Sequence, residues 1–142
     1  PADTRLEVVA TDVDPHLLAR ARRGIYPAGS LRELPEPWRR AAFAPAAAPD
    51  HLALRSPFRA PVRFEAGDLR ADAPPGRFDL VLCRYVAFTY LDDEGRREVL
   101  ARLLDHLEVG GALVLGTIDV LPEDPRLAPW GVRPAAPIWR RV

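Results

Sequence analysis

Three places in the 142-residue chain combine residue types able to bind or transfer a small group. The first is Thr11-Asp12-Val13-Asp14, which follows the apolar run Leu6 to Thr11. A carboxylate at a strand end can accept both hydroxyls of a ribose, as acidic residues do in nucleotide-binding folds. The same aspartates can instead cap the next helix, and Asp14 is read as that cap. The second is Asp68, reached from Val62 to Ala66 (VRFEA) through Gly67. Its carboxylate can accept from the exocyclic amine of an adenine while Leu69 packs on the ring; a plain Gly-Asp turn is the competing reading. The third is the aromatic stretch Arg84-Tyr85-Val86-Ala87-Phe88-Thr89-Tyr90. In a strand-end loop, Tyr85 or Tyr90 can flank a small ligand, or Phe88 and Tyr90 can pack beneath the next helix.

Other reactive residue types read as structural. Cys83 has no histidine near it in sequence and is expected to be a small buried hydrophobe. His16, His51 and His106 are far apart, so they form no local metal-ligand cluster and are read as surface residues. Arg20, Arg22 and Arg23 read as a solvated helix face.

The placement of these groups depends on the elements that carry them. Leu6–Thr11 and Val62–Ala66 have strand patterns, with Leu52–Arg55 a weaker strand. Asp14-Pro15 has the order of an N-cap and first helical residue. Leu17, Leu18, Ala21 and Ile25 follow at helical spacing, and Gly24 is the stop. A second helical patch, interrupted by Pro35 and Pro37, is expected over about Ser30–Phe43, and Ala41–Pro49 as a surface loop or frayed helix end. All 16 prolines lie outside Arg77–Leu121, so that stretch should be the most regular. There, Phe78–Arg84 (FDLVLCR) and Ala112–Leu115 (ALVL) contain continuous apolar runs, the pattern of parallel strands buried on both faces. Between them the spacing predicts a helix over Asp92–Leu107, ended by Gly110 and Gly111, with Val99, Leu100, Leu103, Leu104 and Leu107 inward. Pro137–Val142 reads as a closing strand. The alternation predicts a three-layer α/β fold whose ligands sit at the carboxyl ends of the strands.

Composition narrows the function classes. Twenty basic residues balance twenty acidic ones. This argues against a nucleic-acid coat or a polybasic membrane anchor. A single cysteine excludes an internal disulfide framework. No apolar run has the length of a membrane span, and a cytoplasmic, metal-free domain is expected. Lys, Asn, Gln and Met are absent, so lysine chemistry is excluded.

The strand-end segments together resemble one family. Val9-Ala10-Thr11-Asp12-Val13-Asp14-Pro15, continuing to Ala21-Arg22-Arg23-Gly24-Ile25-Tyr26, is similar to the second motif of CheR-type S-adenosylmethionine-dependent methyltransferases. Phe78–Arg84 resembles their FD.I.CRN segment, and Leu107-Glu108-Val109-Gly110-Gly111-Ala112-Leu113 the PGG turn of class I methyltransferases. The likeness covers about Val8 to Val120, with a weaker echo at Trp139-Arg140-Arg141.

The resemblance implies a Rossmann-like methyltransferase sheet, mostly parallel with a C-terminal antiparallel strand. It implies S-adenosylmethionine as cofactor and transfer of the sulfonium methyl to a nucleophile, of a protein carboxylate or a small molecule, that the sequence does not identify. Asp12 would bind the ribose hydroxyls, Asp68 and Leu69 would frame the adenine, Tyr85 and Val86 would sit beside the methionine moiety, and Tyr90 near the transferred methyl. The sequence departs from the family at Asp68 and Tyr85, where asparagine is usual. The segment Gly116-Thr117-Ile118-Asp119 replaces the family's histidine–serine–glutamate. No glycine-rich cofactor loop or first strand precedes Leu6, so residues 1–142 are expected to be one incomplete catalytic domain. A non-catalytic remnant serving as a binding module is the alternative.

Overall fold

A computed structural model describes residues 5–131 and 137–142. The chain divides into two compact units, Pro1–Ala66 and Gly67–Val142. No helix among the described residues is long and apolar enough to cross a membrane.

The first unit contains β1 (Val8–Asp12), α1 (Pro15–Arg23), β2 (Ile25–Pro27), α2 (Glu36–Ala42), β3 (Phe43–Pro45), β4 (His51–Leu54), α3 (Ser56–Arg59) and β5 (Val62–Ala66). β1 and β5 pair in parallel, with Asp12 opposite Ala66. Helix α1 connects to them as the sequence expects. The Asp14 carboxylate accepts the His16 N–H at 2.7 Å, and Pro15 follows in the first turn. At the other end Gly24 turns into the left-handed region (φ 63°), and its N–H reaches the Ala21 carbonyl at 3.0 Å. Of the expected inward face, Leu18 is buried and Ala21 half-buried, whereas Leu17 and Ile25 are exposed. Ile25 cannot share the face because Gly24 has already ended the helix and Ile25 begins β2.

Between α1 and β5 the chain builds a three-stranded antiparallel sheet, β2-β4-β3. This bears out one expectation in part and corrects another. The helical patch over Ser30–Phe43 is interrupted at Pro35 and Pro37 as expected, but the part before them is only a 3₁₀ turn at Ala28–Leu31 and the part after them the short helix α2. The supposed loop within Ala41–Pro49 contains β3, whose Phe43 pairs with Leu54. Tertiary pairing overrides an alanine- and proline-rich composition there.

The second unit contains β6 (Phe78–Cys83), α4 (Ala87–Tyr90), α5 (Asp93–His106), β7 (Leu107–Leu115), β8 (Leu127–Pro129) and β9 (Ile138–Arg141). Its sheet runs β6-β7-β9-β8. β6 and β7 are parallel, and β9 lies antiparallel on β7, as the closing strand was expected to do. β8 adds a further antiparallel edge. Asp92 caps α5 by accepting the Gly95 N–H at 2.9 Å, and Asp93 and Glu94 sit at the positive end of its dipole. Val99, Leu100, Leu103, Leu104 and Leu107 are all buried, against Cys83, Phe88, Leu113 and Leu115. At ~1.5–3 kcal/mol per fully buried large apolar side chain, this face dominates the unit's stability.

Two expectations fail in this unit. Gly110 and Gly111 do not end the helix; they lie inside β7, at the irregularity where Phe78 pairs with Leu107 but Leu80 with Ala112. Gly111 is needed because a Cβ there would stand 2.8 Å from the Glu108 carbonyl oxygen and 3.0 Å from that of Asp79. β6 is also not buried on both faces. Its Val81 and Cys83 join the core under α5, while Leu80 and Leu82 are exposed on the other face. Among the described residues β1 pairs only with β5, and β6 only with β7, so each has one open edge.

Candidate functional site

The candidate residues are distributed over both units, each at or just after the carboxyl end of a strand. Asp12 is the last residue of β1. One carboxylate oxygen, Oδ1, accepts the Asp14 N–H at 2.9 Å, which sets the side chain's direction. Among the described residues Oδ2 accepts no hydrogen bond. Of the two aspartates only Asp14 caps the helix, as expected.

Asp68 lies just past β5 and is held by Arg70. Its Oδ1 accepts the Arg70 N–H at 2.9 Å and Nε at 3.0 Å, and Oδ2 accepts the terminal guanidinium nitrogen at 2.7 Å. The side-chain bonds from Arg70, with its backbone N–H, lower the Asp68 carboxyl to a pKa of about 2. Asp124 and Arg126 form the same clamp far along the chain, with bonds of 2.8, 3.0 and 2.8 Å. An Asp-x-Arg turn therefore makes this pair by local geometry alone. Leu69 turns its side chain onto the hydrophobic core, and its carbonyl accepts from Arg102 at 2.7 Å.

The loop after β6 and the short helix α4 that follows carry Tyr85, Val86 and Tyr90. Tyr85 has φ 57°, a left-handed conformation that L side chains adopt at a cost. Its ring lies on Gly116, in the space that a Cβ there would need. Its hydroxyl is 3.3 Å from the Thr117 hydroxyl, and the Arg84 guanidinium sits 5.2 Å from its ring centre. The bonds with Thr117, helped by Arg84, lower the phenol's pKa. Val86 is exposed before α4, and Tyr90, at the end of α4, is exposed at 80%. Phe88 turns inward and is fully buried, whereas Tyr90, the other residue considered for packing beneath the helix, does not.

Sequence reasoning missed Asp119, four residues beyond the end of β7. Its Oδ2 accepts the Tyr85 N–H at 3.0 Å and the Gly116 N–H at 2.6 Å, and its Oδ1 accepts from the Thr89 hydroxyl. Burial works to raise its pKa, but these bonds outweigh burial and leave it lowered. The available signal was an acid placed soon after a buried apolar strand.

The remaining reactive groups serve structure. Burial pushes the Cys83 thiol up to about 11, which leaves it protonated and unreactive near neutrality. His51 and His106 are half-buried rather than on the open surface, with Nδ1 at 2.7 Å from the Pro49 carbonyl and 2.8 Å from the Gly76 carbonyl. No group of metal-ligating side chains occurs among the described residues. An apolar groove of about 820 Å³ in the first unit is lined by Leu31, Trp38, Phe43 and Phe58 and includes none of the strand-end residues.

Parallel β–α units with acids and aromatics at their strand ends define an α/β domain of the kind that holds nucleotide-like cofactors there. The family model described as the SAM-binding domain of CheR methyltransferase matches residues 1–130, and the chain belongs to that family. A chemotaxis protein methyltransferase of Listeria innocua is 34% identical over 110 residues, which are 78% of this chain and 41% of that protein. Chemotaxis protein methyltransferase 1 of Pseudomonas aeruginosa is 32% identical over 117 residues, 82% of this chain and 42% of that protein. This chain therefore spans about two-fifths of the length of these relatives. Among solved structures, the glycopeptide N-methyltransferase MtfA complexed with S-adenosyl-L-methionine matches at 26% identity and a TM-score of 0.49, over 77% of this chain and 34% of that one.

Proposed function

We propose that residues 1–142 are part of the catalytic domain of an S-adenosylmethionine-dependent methyltransferase of the CheR type. The observation that carries this reading is Asp12: a strand-end carboxylate with one oxygen oriented by the Asp14 N–H and no hydrogen bond to the other among the described residues. A ribose diol presents two O–H donors, and this arrangement suits them. Asp68 has the acceptor chemistry for an adenine amine, but Arg70 holds both of its oxygens, so that contact requires Arg70 to move. Leu69, Tyr85, Val86 and Tyr90 are assigned the roles the family resemblance implies for them: Leu69 at the base, Tyr85 and Val86 beside the methionine moiety, and Tyr90 near the transferred methyl.

When bound, the cofactor supplies an electrophilic methyl on a sulfonium. The protein's part is to align that methyl with the nucleophile and exclude water from the path. The acceptor is a protein side chain, a choice supported by the relatives' shared name, chemotaxis protein methyltransferase. Calorimetric titration of the full-length protein with S-adenosylhomocysteine tests the reading. Saturable binding supports it; no heat at millimolar ligand with a folded protein overturns it in favour of a non-catalytic binding module.

A further inference from the structure

We propose that Asp119 is a positioning residue of the methyltransferase site, holding Tyr85 in its left-handed conformation and so fixing the rim formed by Tyr85, Val86 and Tyr90. This rests on the methyltransferase reading and adds to it a residue outside the segments that suggested that reading.

Tyr85 does not hold φ 57° by its own preference, since residues other than glycine and asparagine seldom adopt it. Something outside the loop must fix it. One oxygen of Asp119 accepts from the Tyr85 N–H and from the Gly116 N–H, tying the end of β6 to the end of β7 through a single atom. The other oxygen takes the Thr89 hydroxyl and secures the first turns of α4. The Gly116 tie also sets the floor of the loop: the Tyr85 ring lies where any Cβ at Gly116 would be. Three points therefore converge on one carboxylate. Without it, two backbone N–H groups lose their acceptor, Tyr85 relaxes to negative φ, and its ring swings off Gly116. Val86 follows, because its backbone continues from the same turn.

The requirement is for acceptor geometry rather than charge. Asparagine at 119 can place its carbonyl oxygen on the Tyr85 and Gly116 N–H groups and donate its amide to the Thr89 hydroxyl, which is able to accept. The experiment compares the full-length protein with its Asp119→Ala and Asp119→Asn variants by calorimetry with S-adenosylhomocysteine. Asp119→Ala should weaken binding at least tenfold and Asp119→Asn less than threefold. Equal binding by wild type and Asp119→Ala overturns the proposal, as does equal weakening in both variants. Amide hydrogen exchange on the wild-type protein gives an arm independent of variant folding: Tyr85 and Gly116 should exchange at least tenfold more slowly than the exposed Ile118. Rates matching Ile118 overturn the proposal. If wild type binds no S-adenosylhomocysteine, the methyltransferase reading fails, and the exchange rates still decide whether Asp119 holds the loop.

Discussion

Replacing Asp12 by alanine should damage ligand binding far more than it damages the fold. In the structure Oδ1 carries one bond, to the Asp14 N–H, and Oδ2 carries none among the described residues. Folding therefore loses a single local hydrogen bond, about 0.5–1.5 kcal/mol. A ribose diol donating to the carboxylate would lose up to two charge-assisted bonds of about 1.5–3 kcal/mol each. Because Oδ1 is shared with Asp14, we count one full bond and part of a second, about 2–4 kcal/mol. The expected rise in dissociation constant for S-adenosylhomocysteine is then ~30- to 1,000-fold. Calorimetry measures it, with thermal melting as the control for folding. Asp12→Asn should fall between the two, since an amide keeps one acceptor and loses the charge. Binding by Asp12→Ala within twofold of wild type, in a preparation where wild type binds, would refute the assignment. The ligand's sugar would then lie elsewhere.

Other consequences concern the framework. Leu104 is fully buried beneath β6 and β7, so Leu104→Ala should destabilise the protein by about 2–5 kcal/mol, read as a lower urea midpoint. Gly111→Ala should cost about 1–3 kcal/mol in the same assay, because its Cβ would meet two backbone carbonyl oxygens at 2.8 and 3.0 Å, which cannot turn aside as the Leu107 side chain at 2.9 Å can. Acid should destabilise the fold through Asp68, Asp119 and Asp124, all with lowered folded-state values. A lowered value means stabilisation that is complete above the ordinary aspartate value of 3.8 and lost as pH falls toward about 2 for Asp68. The melting temperature should therefore drop across that window, by a modest amount for Asp68, whose ion pair with Arg70 is exposed and screened.

Much of the local structure is written in short-range pattern. Asp14-Pro15 with Gly24 marks α1 at both ends because capping depends on a few adjacent backbone groups. The Val99–Leu107 spacing identifies the buried face of α5 because a helix repeats every 3.6 residues whatever surrounds it. The strand-end position of Asp12 follows in the same way, since β1 stops where its apolar run gives way to a capping segment. Other features depend on residues distant in sequence. The β2-β4-β3 sheet forms because three weak segments find one another, and of them only β4, near Leu52–Arg55, reads as a strand by itself. Leu80 and Leu82 look as buried as Val81 and Cys83 in sequence, but α5 covers only one face of β6. The pairing of Asp68 with Arg70 is local, yet it does not stand out until side-chain geometry shows both oxygens taken. The hold of Asp119 on Tyr85 spans 34 positions and depends on where two strands end. Sequence alone pointed to the family, the caps of α1, the start of α5 and the acids at the strand ends, because these depend on neighbours along the chain. The tertiary structure decided which of those groups the protein's own donors already hold, as Arg70 holds Asp68, because that depends on where the fold sets their side chains.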